Sequence, residues 1–295
     1  MKHQHHVEIS TIYDVLSMPA GRHRAPCPNC GKGPSDRALS IKVDDSGACW
    51  YCWRCEDSGG VPRGDRMVRF DRSSTTDNGR ARGQLNKLWS NTAPLDLDQH
   101  PIAAKYLASR GLELQGNPPT DLRYGDVGYW RRRDDGPVHV GTFPCIVAVI
   151  RNADGEPLSL HRTYLAPDGS GKADLDPPRK LCTSVRPGGL AGGAVRLYEA
   201  RDRVLLAEGI ETALAAGVIF QKPAWACLST SMMQKVVLPQ TVRDVTIAAD
   251  HDEAGIDAAK VLAERLCAES RTVRIELPDQ PGTDWADVIG EVRHG

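Results

Sequence analysis

The sequence has no apolar run long enough to cross a bilayer. Its longest, such as Pro144 to Ile150 and Val204 to Ala207, fall far short of the roughly 18 to 20 residues that a spanning helix needs. No membrane span is expected. The amino terminus, Met1-Lys2-His3-Gln4-His5-His6, lacks the apolar core of a secretory signal, so the expected location is the cytoplasm. A Gly-x-x-x-x-Gly-Lys-Ser/Thr phosphate loop is missing too, which argues against an intrinsic ATP-driven motor. There is no internal repeat and no long low-complexity tract. Net charge is close to absent, at −1, and by itself points to no class of partner.

What is present is a globular composition: 295 residues, 40% apolar and 25% charged, enough for one large domain or two to three small ones. The charge is unevenly placed. Residues 196–295 hold 11 Lys+Arg against 16 Asp+Glu, a net of −5, and residues 1–195 hold the other 26 against 22, a net of +4. A basic front suits contact with phosphate, and an acidic back suits carboxylates that hold cations. Nine cysteines occur, five of them between Cys27 and Cys55. In a reducing compartment such crowding favours metal ligation over disulfides. Cys145, Cys182, Cys227 and Cys267 are scattered and read as ordinary thiols.

Along the chain, a cysteine-rich block at residues 27–60 gives way to a polar stretch from Arg63 to about Thr92, a linker by composition. A helix is expected from Pro101 to Arg110, with Pro101 in its first turn and Gly111 as its stop. Two strand-like runs, Phe143 to Ile150 and Pro157 to Leu165, flank Asp154-Gly155, a favoured hairpin turn pair. The last third alternates strand and helix: Val204 to Ala207 then Ile210 to Ala216; Trp225 to Leu228 then Ser231 to Val237; Val245 to Ala249 then Ala254 to Cys267; Val273 to Leu277 then Trp285 to Val292. That alternation implies a mostly parallel sheet covered by helices, with ligands at the carboxyl ends of its strands. The expected division is 1–62, a linker at 63–95, then 96–195 and 196–295.

Cys27-Pro28-Asn29-Cys30 and Cys52-Trp53-Arg54-Cys55 form two C-x2-C knuckles separated by 21 residues. Each brings two thiolates to one side of a tight turn, and two turns make the tetrahedral sulfur cage that zinc prefers. A closed four-sulfur cage leaves no open position, so the site is structural and stabilises a segment too small to fold unaided. Cys49 also precedes Cys52 by three residues, which leaves Cys49 and Cys52 as an alternative second pair; Cys52 with Cys55 is favoured. Trp50, Tyr51, Trp53 and Arg54 offer faces for unpaired bases, with Arg22, Arg24, Lys32 and Arg37 near for phosphates; packing within the ribbon is an equal use of those aromatics.

In the last third, Leu205-Leu206-Ala207-Glu208-Gly209 ends one strand at a glutamate and Ile247-Ala248-Ala249-Asp250-His251-Asp252 ends another at Asp-x-Asp; Asp284 and Asp287 follow. Residues i and i+2 of an extended segment face the same way, so Asp250 and Asp252 can share an ion. Carboxylates gathered at one edge repel, and a hard divalent cation such as magnesium relieves them. Glu253 and Asp257 read instead as helix acids opposing the dipole; that reading is set aside for Glu208, Asp250 and Asp252.

The strand-Glu208-Gly209 element, followed about 40 residues later by Asp250-His251-Asp252, resembles the Toprim domain of bacterial-type primases, topoisomerases and some nucleases. With the knuckles, the order resembles phage and plasmid Toprim primases and the primase part of phage helicase-primases. Trp50 to Gly60 is similar to the second knuckle of their ribbons, and His161 to Leu165, Gly171 to Ala173 and Pro178 to Lys180 are similar to their middle region. The resemblance implies an α/β chain with an N-terminal zinc ribbon, an α+β middle subdomain and a C-terminal Toprim domain, a Rossmann-like parallel sheet flanked by helices. It implies primer synthesis on single-stranded DNA from nucleoside triphosphates by metal-dependent nucleotidyl transfer. In it Glu208, Asp250 and Asp252 would be catalytic and, with Asp284 or Asp287, would hold Mg2+ or Mn2+. Cys27, Cys30, Cys52 and Cys55 would hold one zinc; Arg162, Lys172, Arg179, Lys180, Trp53 and Arg54 would touch nucleic acid or nucleotide. Any helicase would be a separate partner. A Toprim nuclease and a non-catalytic zinc-ribbon DNA-binding or replication-control protein are the alternatives; a topoisomerase would need further domains.

Overall fold

The computed structural model describes residues 17–31, 33, 36–52, 58–63, 79–114, 118–133, 136–186 and 189–294. The chain divides into two compact units, Met1–Ser74 and Thr75–Gly295.

In the first unit, β1 (Gly21–Ala25), β2 (Leu39–Asp44), β3 (Gly47–Cys52) and β4 (Ser58–Pro62) form an antiparallel sheet in chain order. Alternation along β2 turns Leu39, Ile41 and Val43 inward to meet Ala25, Ala48, Trp50 and Cys52. The β2–β3 turn closes on Asp44, whose carboxylate accepts from the Ser46 backbone N–H at 3.0 Å, and Gly47 supplies a positive φ of 137°. Gly59 lies under the Trp50 ring, where a Cβ would come within 2.3 Å of it. This core is small, and a metal staple is the usual supplement at such a size.

The second unit opens with α1 (Gly79–Ser90), inside the stretch expected to be linker, followed by β5 (Ala93–Pro94) and α2 (Pro101–Ser109). Polar and glycine content masks α1 in the sequence, but Ala81 and Leu85 are buried on one face, a helical spacing. Four strands follow: β6 (Leu122–Arg133), β7 (Gly136–Arg151), β8 (Pro157–Tyr164) and β9 (Arg179–Leu181). With β5 they form an antiparallel sheet in the order β5-β6-β7-β8-β9. The β7–β8 hairpin turns through Asp154-Gly155, with Gly155 at φ +87°. One face of this sheet, through Val127, Tyr129, Cys145, Val147, Leu160 and Tyr164, packs on α1. The other, through Leu122, Ile146 and Ala148, packs on α2.

The chain continues through β10 (Val195–Arg196), β11 (Arg203–Ala207), α3 (Ile210–Phe220), β12 (Ala224–Ala226), α4 (Thr230–Lys235), β13 (Asp244–Ala248), α5 (Glu253–Ala268), β14 (Thr272–Glu276) and α6 (Trp285–His294). The sheet order is β10-β12-β11-β13-β14; the last four in that order are mutually parallel, and β10 closes the edge antiparallel. The first seven residues of α3 are all buried. Leu205, Ala207, Ala213 and Leu214 share one continuous core with Ile146, Ala148 and Tyr106, so the two halves of this unit bury their apolar faces against each other. Gly111 stops α2 at φ +70°, and its missing Cβ lets the chain pass Gly290 of α6; a Cβ there would lie 2.8 Å from the Gly290 Cα. Among the described residues no helix is long and apolar enough to cross a membrane.

Candidate active site

Three thiols converge in the first unit. The sulfurs of Cys27, Cys30 and Cys52 lie within 4.8 Å of one another, with Cys30 Sγ 3.5 Å from Cys52 Sγ. The first knuckle is a tight turn closed by Gly31 N–H donating to the Cys27 carbonyl at 2.8 Å; a Cβ on Gly31 would sit 2.6 Å from that oxygen. Cys52 arrives at the end of β3. Cys49, three residues earlier on the same strand, points from the opposite face by strand parity and stays out of the thiol group. That removes the alternative pair Cys49 and Cys52. Cys55, Trp53 and Arg54 lie outside the described residues. Soft sulfur donors at this spacing, two of them buried, fit a structural metal ion. Trp50 is only 7% exposed and packs on Gly59, so its ring is core rather than a platform for bases.

The second constellation forms at the carboxyl edge of the parallel sheet. Ala207 pairs with Ala248 in register, so the residues that follow, Glu208 on one strand and Ala249-Asp250 on the other, emerge side by side. Asp250 Oδ1 is buried and finds no hydrogen-bond partner among the described residues. Its carboxyl is pushed up to about 7, first by burial and then by the negative charges of Glu208, Asp284, Asp252 and Asp287. The other four acids singled out in the sequence therefore act on Asp250. An orphaned buried oxygen in a field of four carboxylates is chemistry that a hard divalent cation satisfies.

The members differ in what else they do. Asp252 caps α5, its Oδ1 accepting from Gly255 N–H at 2.6 Å, so the helix-end role set aside for it does occupy one of its oxygens. Gly255 is small of necessity: a Cβ there would lie 2.6 Å from the Asp250 carbonyl. Asp284 and Asp287 close a reciprocal cap on α6, Asp284 Oδ1 accepting from Ala286 and Asp287 N–H and Asp287 Oδ2 from Asp284 N–H at 3.1 Å. Arg110, from the end of α2, reaches Asp287 at 3.4 Å and Asp284 at 3.7 Å. His251 is turned aside, its Nδ1 2.7 Å from the Pro278 carbonyl.

A neighbouring group escaped the sequence reading. Glu211, in the first turn of α3, is buried, accepts a hydrogen bond from the Tyr106 hydroxyl and pairs with Lys172 Nζ at 3.2 Å. Burial alone would raise its carboxyl, but the Lys172 ammonium and the Tyr106 hydroxyl hold it at about 2. His161, buried beside it, is pushed down to about 4, chiefly by burial, and stays neutral. The one hint in the sequence is a lone acid in the otherwise apolar run Ile210 to Ala216.

The four basic residues expected to meet nucleic acid divide between the faces of the antiparallel sheet. Lys172 is paired to Glu211, and Arg179, opposite Thr163, lies in the field of Tyr106 and His161 on the carboxylate side. Arg162 and Lys180 pair across β8 and β9 on the α1 side. Arg162 Nη1 donates to the Tyr164 hydroxyl at 3.1 Å; Lys180 Nζ donates to the Trp130 carbonyl at 2.6 Å and sits 3.6 Å above the Tyr129 ring.

Residues 203–293 match the Toprim domain, and residues 79–197 match a domain of unknown function (DUF7146). No curated protein matches the sequence. Among solved structures, the zinc-binding and RNA polymerase domains of Aquifex aeolicus primase align over 96% of this chain and 81% of that one, at 16% identity and a TM-score of 0.50. A DNA primase domain from Pseudomonas aeruginosa covers 72% of this chain and 74% of its own at 18% identity and 0.48. The primase fragment of the bacteriophage T7 primase-helicase covers 92% and 96% at 17% and 0.40. The first of these shows a shared fold, and the parallel-sheet half is a Toprim domain by its own sequence.

Proposed function

With a Toprim domain at residues 203–293, in a chain that shares the fold of primase zinc-binding and polymerase domains, we propose that this protein is a DNA primase that makes short oligonucleotides on single-stranded DNA. The observation that carries the reading is the convergence of Glu208, Asp252, Asp284 and Asp287 on Asp250, whose Oδ1 is buried and has no hydrogen-bond partner among the described residues. In this reading Glu208, Asp250 and Asp252 hold Mg2+ or Mn2+, with Asp284 or Asp287 completing the set. The bound metal supplies charge neutralisation for a triphosphate and a lowered pKa for an attacking 3′-hydroxyl. The chain's own residues keep the acids apart and aimed. Gly255 leaves room for the Asp250 turn, Arg110 holds the α6 pair, and the Lys172–Glu211–Tyr106 group fixes the start of α3 next to Glu208. In the same reading Arg179 meets phosphate on that side. Cys27, Cys30, Cys52 and Cys55 hold one structural zinc, and Trp53 and Arg54 contact the template. A replicative helicase is the proposed partner.

The test incubates the zinc-loaded protein with single-stranded DNA, four labelled nucleoside triphosphates and Mg2+ or Mn2+, alongside an Asp250→Ala, Asp252→Ala variant. Template-dependent oligonucleotides from the wild type alone support the reading. Cleaved DNA without triphosphate demand would replace it with a Toprim nuclease, and binding without turnover would replace it with a DNA-binding replication-control protein.

A further inference from the structure

The parallel sheet ends differently at its two edges. β10 closes one of them with two residues, too short to template a further strand. At the other, β14 presents Thr272-Val273-Arg274-Ile275-Glu276, with no proline among them and no strand beyond it among the described residues. Thr272 N–H donates to the Arg243 carbonyl at 2.8 Å and Ala249 N–H to the Glu276 carbonyl at 3.1 Å, so residues 272, 274 and 276 turn their backbone groups toward β13. By alternation Val273, Ile275 and Leu277 turn theirs to the outer edge. A row of outward N–H and C=O groups on a regular strand is a template for one more strand.

The side chains select which strand that is. Arg274 and Glu276 stand on one face of the sheet and Ile275 on the other. The Arg274 side chain is 59% exposed; its ion pair to Asp244 is long, at 3.9 Å, and Asp244 also faces Lys222 at 3.5 Å. Ile275 is 38% exposed, an apolar side chain at the rim of the sheet.

An antiparallel copy of β14 answers each of these features. With Ile275 on a two-fold axis, Ile275 meets its own copy and Val273 meets Leu277. Both partners in these pairs have outward backbone groups, so the pairs are hydrogen-bonded. Arg274 then falls opposite Glu276 of the other copy, and Glu276 opposite Arg274. These are the non-hydrogen-bonded positions, where side chains approach most closely. A slip of one residue sets outward groups against inward ones and breaks the ladder. A slip of two sets Arg274 against Arg274 in one direction and Glu276 against Glu276 in the other.

We propose that β14 is a dimerisation edge, through which two copies of this chain join their five-stranded parallel sheets into one continuous sheet. Antiparallel joining points the carboxyl edges of the two sheets in opposite directions. The acid clusters around the two Asp250 residues therefore open at opposite ends, and neither copy completes the other's site. The inference rests on the sheet alone and is independent of the primase reading.

The test is sedimentation equilibrium of the zinc-loaded full chain from about 1 to 100 µM, the range suited to a small interface. The wild type is expected to show a reversible monomer–dimer equilibrium. Arg274→Glu or Glu276→Arg alone sets like charges opposite each other at both symmetric positions and should weaken dimerisation by about 10-fold or more. Combining the two restores opposite charges in exchanged order and should return the dimer to within about 3-fold of wild type, a recovery that misfolded single variants would not allow. Lys260→Gln, exposed on α5, should change nothing. A wild type that stays monomeric throughout, a dimer that withstands both single reversals, or a double variant as weak as the singles overturns the proposal.

Discussion

Replacing Asp250 by asparagine should stabilise the magnesium-free protein while abolishing its response to magnesium. The reasoning starts from a carboxyl that is ordinary at 3.8 in the unfolded chain and lies at about 7 in the fold. That difference corresponds to about 4 kcal/mol of penalty on the charged form. Screening on the open side of the edge reduces it to about 2 kcal/mol. The folded carboxyl keeps its proton to higher pH than the unfolded one. The penalty is therefore absent at low pH, grows above 3.8 and is complete above about 7. Asparagine keeps the shape and removes the charge. At pH 8, with magnesium removed by dialysis and zinc retained, Asp250→Asn should melt about 4–8 °C above wild type, given the size of the unit. By pH 4.5 that gap should shrink several-fold. Millimolar magnesium at pH 8 should raise the wild-type Tm and leave the variant unmoved. Thermal unfolding followed by near-UV circular dichroism reads all of these. A variant no more stable than wild type at pH 8, or one that gains as much from magnesium, would refute the idea that Asp250 is the buried focus of a cation site.

Three other outcomes follow from the packing. Cys30→Ser or Cys52→Ser should drop bound zinc from about one per chain to near zero and open Met1–Ser74 to protease, with the unfolding of Thr75–Gly295 unchanged; full zinc retention would remove these thiols from the site. Lys172→Met should cost about 3 kcal/mol by leaving Glu211 charged and unpaired, and adding Glu211→Gln should recover most of it; additive losses in denaturant melts would contradict the pairing. Gly255→Ala should cost about 1–3 kcal/mol and depress primer synthesis, because its Cβ meets the Asp250 carbonyl; unchanged melting and activity would show that the turn yields freely.

The parts of this protein written in local spacing were legible in the sequence. Cys27 and Cys30 announce neighbouring thiols because a C-x2-C knuckle is one turn of chain, and Cys52 joins them in the fold. Glu208 and Asp250 announce a site because apolar strands that end at acids put those acids on one edge of a parallel sheet. The α2 helix and the β7–β8 hairpin were legible through Pro101, Gly111 and Asp154-Gly155, whose backbone preferences act within a few residues. α1 was not, since two buried residues in a run of Gly, Arg, Gln, Asn and Lys become an apolar face only when a sheet is there to receive them.

What tertiary structure decided was every pairing across distance. Glu211 meets a tyrosine 105 residues away, and the apolar run around it hints at burial without naming that partner. Arg162 and Arg179 look alike in the sequence, yet strand parity and the placement of α1 send them to opposite faces of one sheet. Cys49 lies at knuckle spacing from Cys52 along the chain, yet β3 turns the two to opposite sides. Spacing along a chain determines which groups move together; which groups meet depends on how sheets and helices close over one another, and that is a property of the whole fold.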